Sequence, residues 1–420
     1  MSIRSGAMSV IGESTFRCLK KPFFGVLGGF RSMDFALSDE QRMLKELVAR
    51  FVADELLPLE AGLLQREAAG EDLALDRYQQ ERLDRRAGEL GLFGLDAPED
   101  VGGANLPMVA IVGVEEELGR SIVPYSLPPD SPNLRMLMET VTDRQREAYL
   151  APYVAGALVS AIAISEPGAG SDPMAMTTRA TRDGDDWILN GRKIWISRAD
   201  KADFTIVMAV TGRSSGDRPA ISAFIVDRDT PGLLLERRIA MIGGQTSYEI
   251  ALDNCRIAGW KLLGCEGEGF APMQTRLGTR RVQMAAWAVG MAQRSLDMMI
   301  AFAPDRSTFG VPLSERQVVQ FWIAEAATKI HAARLMVYDC AWKIDQGEDV
   351  RSEISMIKWF AVEMAYAVVD NAMQAFGAMG MTKDLPLHLM QSKLRTMRIY
   401  DGPTEIHKWV VARRLLGIRR

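Results

Sequence analysis

"DWILNGRKIWIS" occupies residues 186–197. Apolar and aromatic runs flank Asn190-Gly191, and Asn-Gly between two such runs is the strongest short-range hairpin signal a sequence offers. The stretch predicts two strands joined at 190–191. Its neighbours have the same character: "DFTIVMAV", "ISAFIVDRD", "PGLLLERR" and "SYEIALDNCRI" are short β-type runs separated by Gly, Pro, Asp and Asn. Nothing between them reads as a crossover helix, so residues 159–270 are expected to form a small antiparallel β domain.

Helical patterns lie on both sides. From 39 to 57, "DEQRMLKELVARFVADELL" places Met43, Leu44, Leu47, Val48, Phe51 and Val52 at helical spacing, ending at Pro58. Ser38 and Gln41 form the S-x-x-Q capping box that starts such a helix. "RLDRRAGELGLFGL" and "MVAIVGVEEELGR" continue the pattern, and the Pro-rich "IVPYSLPPDSPN" connects them to another helix, so residues 33–158 read as a helical domain. Beyond 270 the helices are long. "ISMIKWFAVEMAYAVVDNAMQAFGAMG" sets Ile357, Phe360, Ala361, Met364, Ala365, Val368, Val369 and Ala372 in one broad stripe, and residues 271–420 suggest a helical bundle. The organisation is multidomain α+β, in the order α, β, α.

A chain of 420 residues with 48% hydrophobic residues can bury several cores. Its net charge of −4 implies neither a nucleic-acid partner nor an acidic tail. The four cysteines, Cys18, Cys255, Cys265 and Cys340, include no Cys-x-x-Cys pair, and only three histidines occur. That pattern suits reduced thiols and no metal site. No apolar run approaches the roughly 20 residues of a membrane span. Residues 1–32 are basic and nearly free of acids, which reads as a targeting leader or as sequence upstream of a natural start at Met33. A start at Met33 suits a bacterial cytoplasm, and a leader suits a mitochondrial matrix.

Three motifs suggest chemistry. "SEPGAGSD" (165–172) combines glycines, which let a ligand approach the backbone, with serine hydroxyls, but lacks the spacing of a dinucleotide fingerprint or Walker loop. "KIWIS" (193–197) carries Trp195, and a tryptophan in a strand is ordinarily core. "DRSTFG" (305–310) sets Arg306 and Phe309 at a helix break. Near the end, "RIYDGPTEIHKW" (398–409) places Asp401 before a Gly-Pro break, where a turn aspartate and a proton-transferring carboxylate are both open readings.

Together, "AISEPGAGSD", "NGRKIWIS", "DRSTFG", "QAFGAMG" and "YDGPTEIH", in this order and at these separations, resemble the acyl-CoA dehydrogenase family from Met33 to Gly417. The resemblance implies an N-terminal helical domain, a middle antiparallel β-barrel and a C-terminal four-helix bundle, with FAD bound between domains in a homotetramer or homodimer. It implies an acyl-CoA substrate, dehydrogenated to the trans-2-enoyl-CoA, and an electron-transfer flavoprotein as electron acceptor. Alternatives on the same fold are an oxidase acting on an acyl-CoA or a nitroalkane, and a flavin-binding relative without turnover.

By the same resemblance, Ile164, Ser165 and Gly170 run along the flavin, and Trp195, Ile196 and Ser197 pack on its far face. Arg306, Phe309 and Gln317 match positions reaching the FAD of a neighbouring subunit, and Gln374, Phe376 and Gly377 form another cofactor loop. Thr404 and Glu405 match a last cofactor contact, although Pro403 stands where a threonine is frequent. Ser171, Arg281 and Gly402 fall on the substrate side, and Gly278 replaces an acidic residue that contacts CoA in some relatives. Asp401 matches the catalytic base, which many relatives carry as glutamate; an aspartate is roughly 1.3–1.5 Å shorter in reach.

Overall fold

The computed structural model describes residues 37–213 and 216–418. The expected leader 1–32 and the start at Met33 lie outside the described residues. The N-terminal part contains α1 (Asp39–Phe51), α2 (Glu60–Ala68), α3 (Arg77–Glu89), α4 (Met108–Leu118), α5 (Ser131–Thr140) and the short α6 (Asp143–Gln145) and α7 (Ala151–Val154). Ser38 caps α1 in the predicted box, accepting from the Gln41 N–H while the Gln41 side chain accepts from the Ser38 N–H. Pro58 does not end the helical path: a π turn at Val52–Leu56 and a 3-10 turn at Leu57–Leu59 carry the chain into α2. Proline is tolerated there because it stands in the first turn of a new segment, where its missing N–H has no partner to lose.

The middle part contains β1 (Ser160–Ala163), β2 (Arg179–Asp183), β3 (Asp186–Ile196), β4 (Phe204–Arg213), β5 (Pro219–Asp227), β6 (Leu233–Ala240), β7 (Thr246–Ile257) and β8 (Leu262–Leu263). The strands form one sheet in the order β6-β7-β3-β2-β4-β5-β8, with β1 on β4. Two features correct the sequence expectations. The sheet is open, ending at β6 and β8, rather than closed into a barrel. It is also mixed, because β4 pairs in parallel with β1 and with the end of β2.

The expected hairpin at Asn190-Gly191 is corrected as well. Residues 186–196 form one continuous strand, and the turn is two residues long at Gly184-Asp185, between the paired Asp183 and Asp186. Gly191 is required for a different reason. Its φ is 153°, and a Cβ there would lie 2.5 Å from the Thr178 hydroxyl, at a register shift against β7. The Asn190 side chain accepts from the Asn254 N–H across the sheet at 2.8 Å. A close approach and a turn demand the same dipeptide, so the sequence alone does not separate them.

The C-terminal part contains α8 (Phe270–Phe302), the small ribbon β9 (Ser307–Thr308) and β10 (Val311–Pro312), α9 (Gln317–Asp345), α10 (Arg351–Phe376), α11 (Leu387–Met397) and α12 (Thr404–Leu415). The apolar stripe of α10 is buried as expected at Ile357, Ala361, Met364, Ala365, Val368, Val369 and Ala372, with Phe360 half-buried. One core joins α1 to α4 with α8 to α11, while two others cover the faces of the sheet. The N- and C-terminal helical layers therefore share a core rather than meeting across a hydrated seam.

That shared core includes a close crossing of α4 and α8. A Cβ on Gly290 would sit 2.0 Å from the Glu116 carbonyl oxygen, and one on Gly119 would sit 2.6 Å from the Trp287 backbone. Backbone cannot swing aside as a side chain does. Gly290→Ala is expected to lower stability by about 1–3 kcal/mol. Gly62→Ala, in open space within α2, should raise it by about 0.5–1 kcal/mol. Calorimetric melting of both variants checks the pair, and an unchanged melt for Gly290→Ala would show that the helices part without cost.

Candidate active site

Two segments expected to lie together do so, and a buried ion pair joins them. Glu166, in the glycine-rich segment, accepts from Lys193 Nζ of β3 at 2.9 Å, from the Thr177 N–H and hydroxyl at 2.7 and 2.6 Å, and from the Thr178 N–H at 2.9 Å. Lys193 is fully buried and also donates to the Ile164 carbonyl at 3.0 Å, while the Ile194 N–H donates to the Ser165 carbonyl at 3.0 Å. Burial opposes ionisation of Glu166, but Lys193 and the Thr177 and Thr178 donors outweigh it and hold the carboxyl at about 2. Burial pulls Lys193 down to about 8, so the pair is ionised at neutral pH.

Beyond Lys193, β3 bulges between Lys193 and Ile196, and Trp195 takes φ 65°. The bulge turns its indole outward, leaving it 54% exposed where a strand tryptophan is ordinarily core. Ser197 is exposed beside it, whereas Ile196 is buried in the sheet core and presents only main chain. Across from them, Ser165 and Ile164 are half-buried, Gly170 and Ser171 are exposed, and open space surrounds the Cβ position of Gly170. An exposed indole beside a glycine surface fits a planar cofactor.

Asp401 stands on a left-handed residue (φ 51°), followed by Gly402 (φ 96°), in the turn between α11 and α12. Aspartate is among the few non-glycine residues that accept this conformation. Its Oδ1 accepts from Arg276 of α8 at 2.9 Å, and Oδ2 has no hydrogen bond among the described residues. Arg281, expected beside the carboxylate, instead donates to the Asp401 carbonyl at 2.8 Å. Lys358, fully buried in α10, donates to the Gly402 carbonyl at 2.6 Å, and burial pushes its ammonium down to about 8. The carbonyls of 401 and 402 are thus tied back by two cations, while the Asp401 N–H donates to no protein group among the described residues. His407, buried and held neutral by burial and by the nearby Arg281 and Lys358, packs against Gly402.

Hydrogen bonds connect this turn to the sheet. Arg276 Nε donates to Asn133 at 3.1 Å, Asn133 donates to Ser160 at the start of β1 at 2.9 Å, and Ser160 donates to Tyr153 at 2.8 Å. A second link runs through Asp130, which pairs with Arg280 of α8 and lies 3.9 Å from Arg198, next to Ser197. Burial opposes ionisation of Asp130, yet Arg280, Arg198 and Arg276 hold it at about 2.

The remaining expected residues fall elsewhere. Gln374 and Gly377 are exposed at the end of α10, where Phe376 stacks on Phe302 with centroids 4.2 Å apart. Arg306 and Phe309 lie exposed on the α8–α9 connection, Phe309 completely so, and Gln317 is exposed at the start of α9. No hydrogen bond, ion pair or ring contact among the described residues joins those three to Asp401 or Trp195. Thr404 is buried and donates to Glu363 at 3.0 Å, while Glu405 is exposed. Sequence reasoning missed Lys193, Arg276, Lys358 and Asn133. The available signal was a charged residue interrupting an apolar stripe, as Lys358 does in "MIKWF".

Comparison with known proteins gives a consistent outcome. Family models for the acyl-CoA dehydrogenase N-terminal, middle and C-terminal domains match residues 38–157, 161–255 and 267–416. The chain is 41% identical to (R)-benzylsuccinyl-CoA dehydrogenase of Thauera aromatica, over 91% of this chain and 97% of that protein. The structure of butyryl-CoA dehydrogenase from Megasphaera elsdenii superposes with TM-score 0.83 at 29% identity, covering 91% of this chain and 100% of that one. A chain from a structure described as the electron transferring flavoprotein of Acidaminococcus fermentans matches with TM-score 0.81 at 33% identity, covering 91% and 100%.

The Glu166–Lys193 pair yields a direct test. Lys193→Met leaves a carboxylate buried without its cation and is expected to cost about 3–5 kcal/mol in unfolding experiments. A loss below about 1 kcal/mol would mean that the Thr177 and Thr178 donors suffice alone.

Proposed function

The chain belongs to the acyl-CoA dehydrogenase family, and on that premise we propose that it abstracts the α-proton of an acyl-CoA thioester with Asp401, forms the trans-2-enoyl-CoA and delivers the electrons to an electron-transfer flavoprotein. FAD is the cofactor, and bound in this site it would supply the acceptor for the β-hydrogen as hydride. The residues that would hold it are Ile164, Ser165 and Gly170, the Trp195 and Ser197 side chains with the Ile196 main chain, the Gln374–Gly377 turn, and Thr404 with Glu405. The exposed indole of Trp195 and the open backbone at Gly170 and Gly377 support this assignment.

The observation that carries the reading is the state of the Asp401 turn. One carboxylate oxygen is held by Arg276, so the side chain is oriented, and the other is left to take a proton. The carbonyls of Asp401 and Gly402 are bound by Arg281 and Lys358, so neither is free to oppose negative charge growing on a thioester oxygen. The unengaged Asp401 N–H donates to that oxygen as the enolate develops. Gly402 stands where a Cβ would meet the His407 ring at 2.9 Å, and Ser171 stands on the substrate side of the glycine segment. The half-buried Arg281 therefore acts by positioning the main chain of the base.

Arg306, Phe309 and Gln317 belong, in this reading, to the cofactor site of a neighbouring subunit in a homodimer or homotetramer. The exposure of Phe309, and of Val318 and Phe321 on the adjoining turns of α9, supports a covered face there.

The test is an anaerobic titration of the yellow protein with straight, branched, cyclic and aryl-substituted acyl-CoAs, following flavin absorbance. Asp401→Asn keeps a residue that accepts positive φ, and should slow bleaching by at least about 10²-fold without lowering the melting temperature. Bleaching at the wild-type rate in the variant would remove Asp401 from the chemistry. A wild-type flavin untouched by the whole panel would remove the acyl-CoA reading itself.

A further inference from the structure

Arg276, Arg280, Gln283 and Trp287 are spaced i, i+4, i+7 and i+11 along α8 and so share one face over roughly 16 Å of helix. The stripe starts at the Asp401 carboxylate and runs inward through the helical layers. Arg280 binds Asp130, and Gln283 and Trp287 both donate to Glu115 of α4, at 2.7 and 2.6 Å. Facing them from α11 is Lys393. Its ammonium lies 5.2 Å from the Trp287 ring centroid, and the Arg280 guanidinium carbon lies 5.4 Å from the same centroid. One indole thus carries two cations. Arg280, Trp287, Lys393 and Tyr400 are each half-buried, and we read the accessible surface they share beside Asp401 as a recess.

The recess is short of negative charge. Arg276, Arg280, Arg281, Lys358 and Lys393 face Asp401, Asp130 and Glu115, five cations against three carboxylates. Arg198 adds a further cation beside Asp130; of the outer carboxylates, Glu363 is taken by Arg398 and Thr404, Asp96 by Ser131 and Arg135, and Glu405, which also attracts Lys358, is exposed. Glu115 is the weakest of the three, since burial pushes its carboxyl up to about 7. Arg281 and Lys358 at least hold main-chain carbonyls. The Lys393 ammonium makes no hydrogen bond or ion pair among the described residues. Burial pushes its ammonium pKa down, with Arg280 adding to the effect against Glu115. A half-buried ammonium whose attracting carboxylate, Glu115, is already engaged by Gln283 and Trp287 is poorly compensated, and an alkyl chain entering the recess would strip its remaining water and return nothing.

We propose that the acyl group taken by this chain carries a second, free carboxylate, received by Lys393 and Arg280 across the Trp287 ring. The inference rests on the proposed function, which places the thioester α-carbon at Asp401. The phosphates of CoA then lie at the opposite end of the pantetheine arm and are not the missing anion. A site built to bind a polar group discriminates strongly against the analogue lacking it, because its own polar groups are left unpaired.

The experiment compares succinyl-, glutaryl- and adipyl-CoA, together with an aryl-substituted succinyl-CoA, against acyl-CoAs of matched carbon skeleton without the second carboxylate. Bleaching is measured with the FAD-loaded wild type, and equilibrium affinity by calorimetry on the loaded Asp401→Asn protein. At least one carboxylate-bearing member should exceed its partner by about 10²-fold in kcat/KM. Lys393→Met, or Lys393→Gln if methionine disturbs packing, should weaken that member's binding by about 10- to 100-fold and leave its partner unchanged or tighter. Lys393→Arg should restore part of the loss. Preference for the uncharged member in every pair, or an equal effect of Lys393→Met on both members, overturns this proposal while the dehydrogenase reading stands. Failure of every acyl-CoA to bleach the flavin overturns both.

Discussion

The buried contact between Glu166 and Lys193 is the constraint on which the site's geometry rests. It fastens the glycine-rich segment to β3 at the point where β3 begins to bulge, and the bulge presents Trp195. Two surfaces that the proposed function sets on either side of one flat ligand are thereby held by a single carboxylate and a single ammonium. A hydrophobic pair of equal volume would pack as well, but it would not fix the spacing between the two backbones. The four donors on Glu166 do fix it, because each has a short range and a direction.

A second constraint is α8, which serves both the core and the chemistry. Its apolar faces join the shared core of the helical layers, while Arg276 and Arg281 hold the carboxylate and the carbonyl of Asp401. The proposed base itself sits on a turn, but its position is set by two helices: α8 through these arginines and α10 through Lys358. Orientation is thus transferred from rigid elements to a loop residue by charge-assisted hydrogen bonds.

Much of this was legible in the sequence. The capping box at Ser38, the apolar stripe of α10 and the change from helical to strand-like pattern near 159 follow from period and propensity alone, and the structure has each. Asn190-Gly191 was misleading because glycine answers two needs, a turn or a close approach, with the same letter. Trp195 was misleading in the opposite sense, since period 2 assigns it to the core and only a bulge, invisible to pattern, turns it out. Whether the sheet closes depends on which edge strands meet, and the residues of β6 and β8 carry no mark of it. The cations around Asp401 come from helices far apart in sequence, so no local spacing announces them.

The crossing of α4 and α8 at Gly119 and Gly290 bears on how this protein can change. Two backbones in contact cannot be brought nearer, and the residues beside the crossing, Glu115 and Trp287, project from a frame that stays fixed. Alterations of pocket shape are therefore separable from alterations of fold: side chains at 115, 283 and 287 can be exchanged while the helices keep their distance. A lineage, or a laboratory selection, can move the inner end of the proposed recess by exchanging Glu115, Gln283 and Trp287 together, since they hydrogen-bond one another, without moving the helices. The same backbone contact that leaves no room for a methyl group leaves wide room for divergence of substrate.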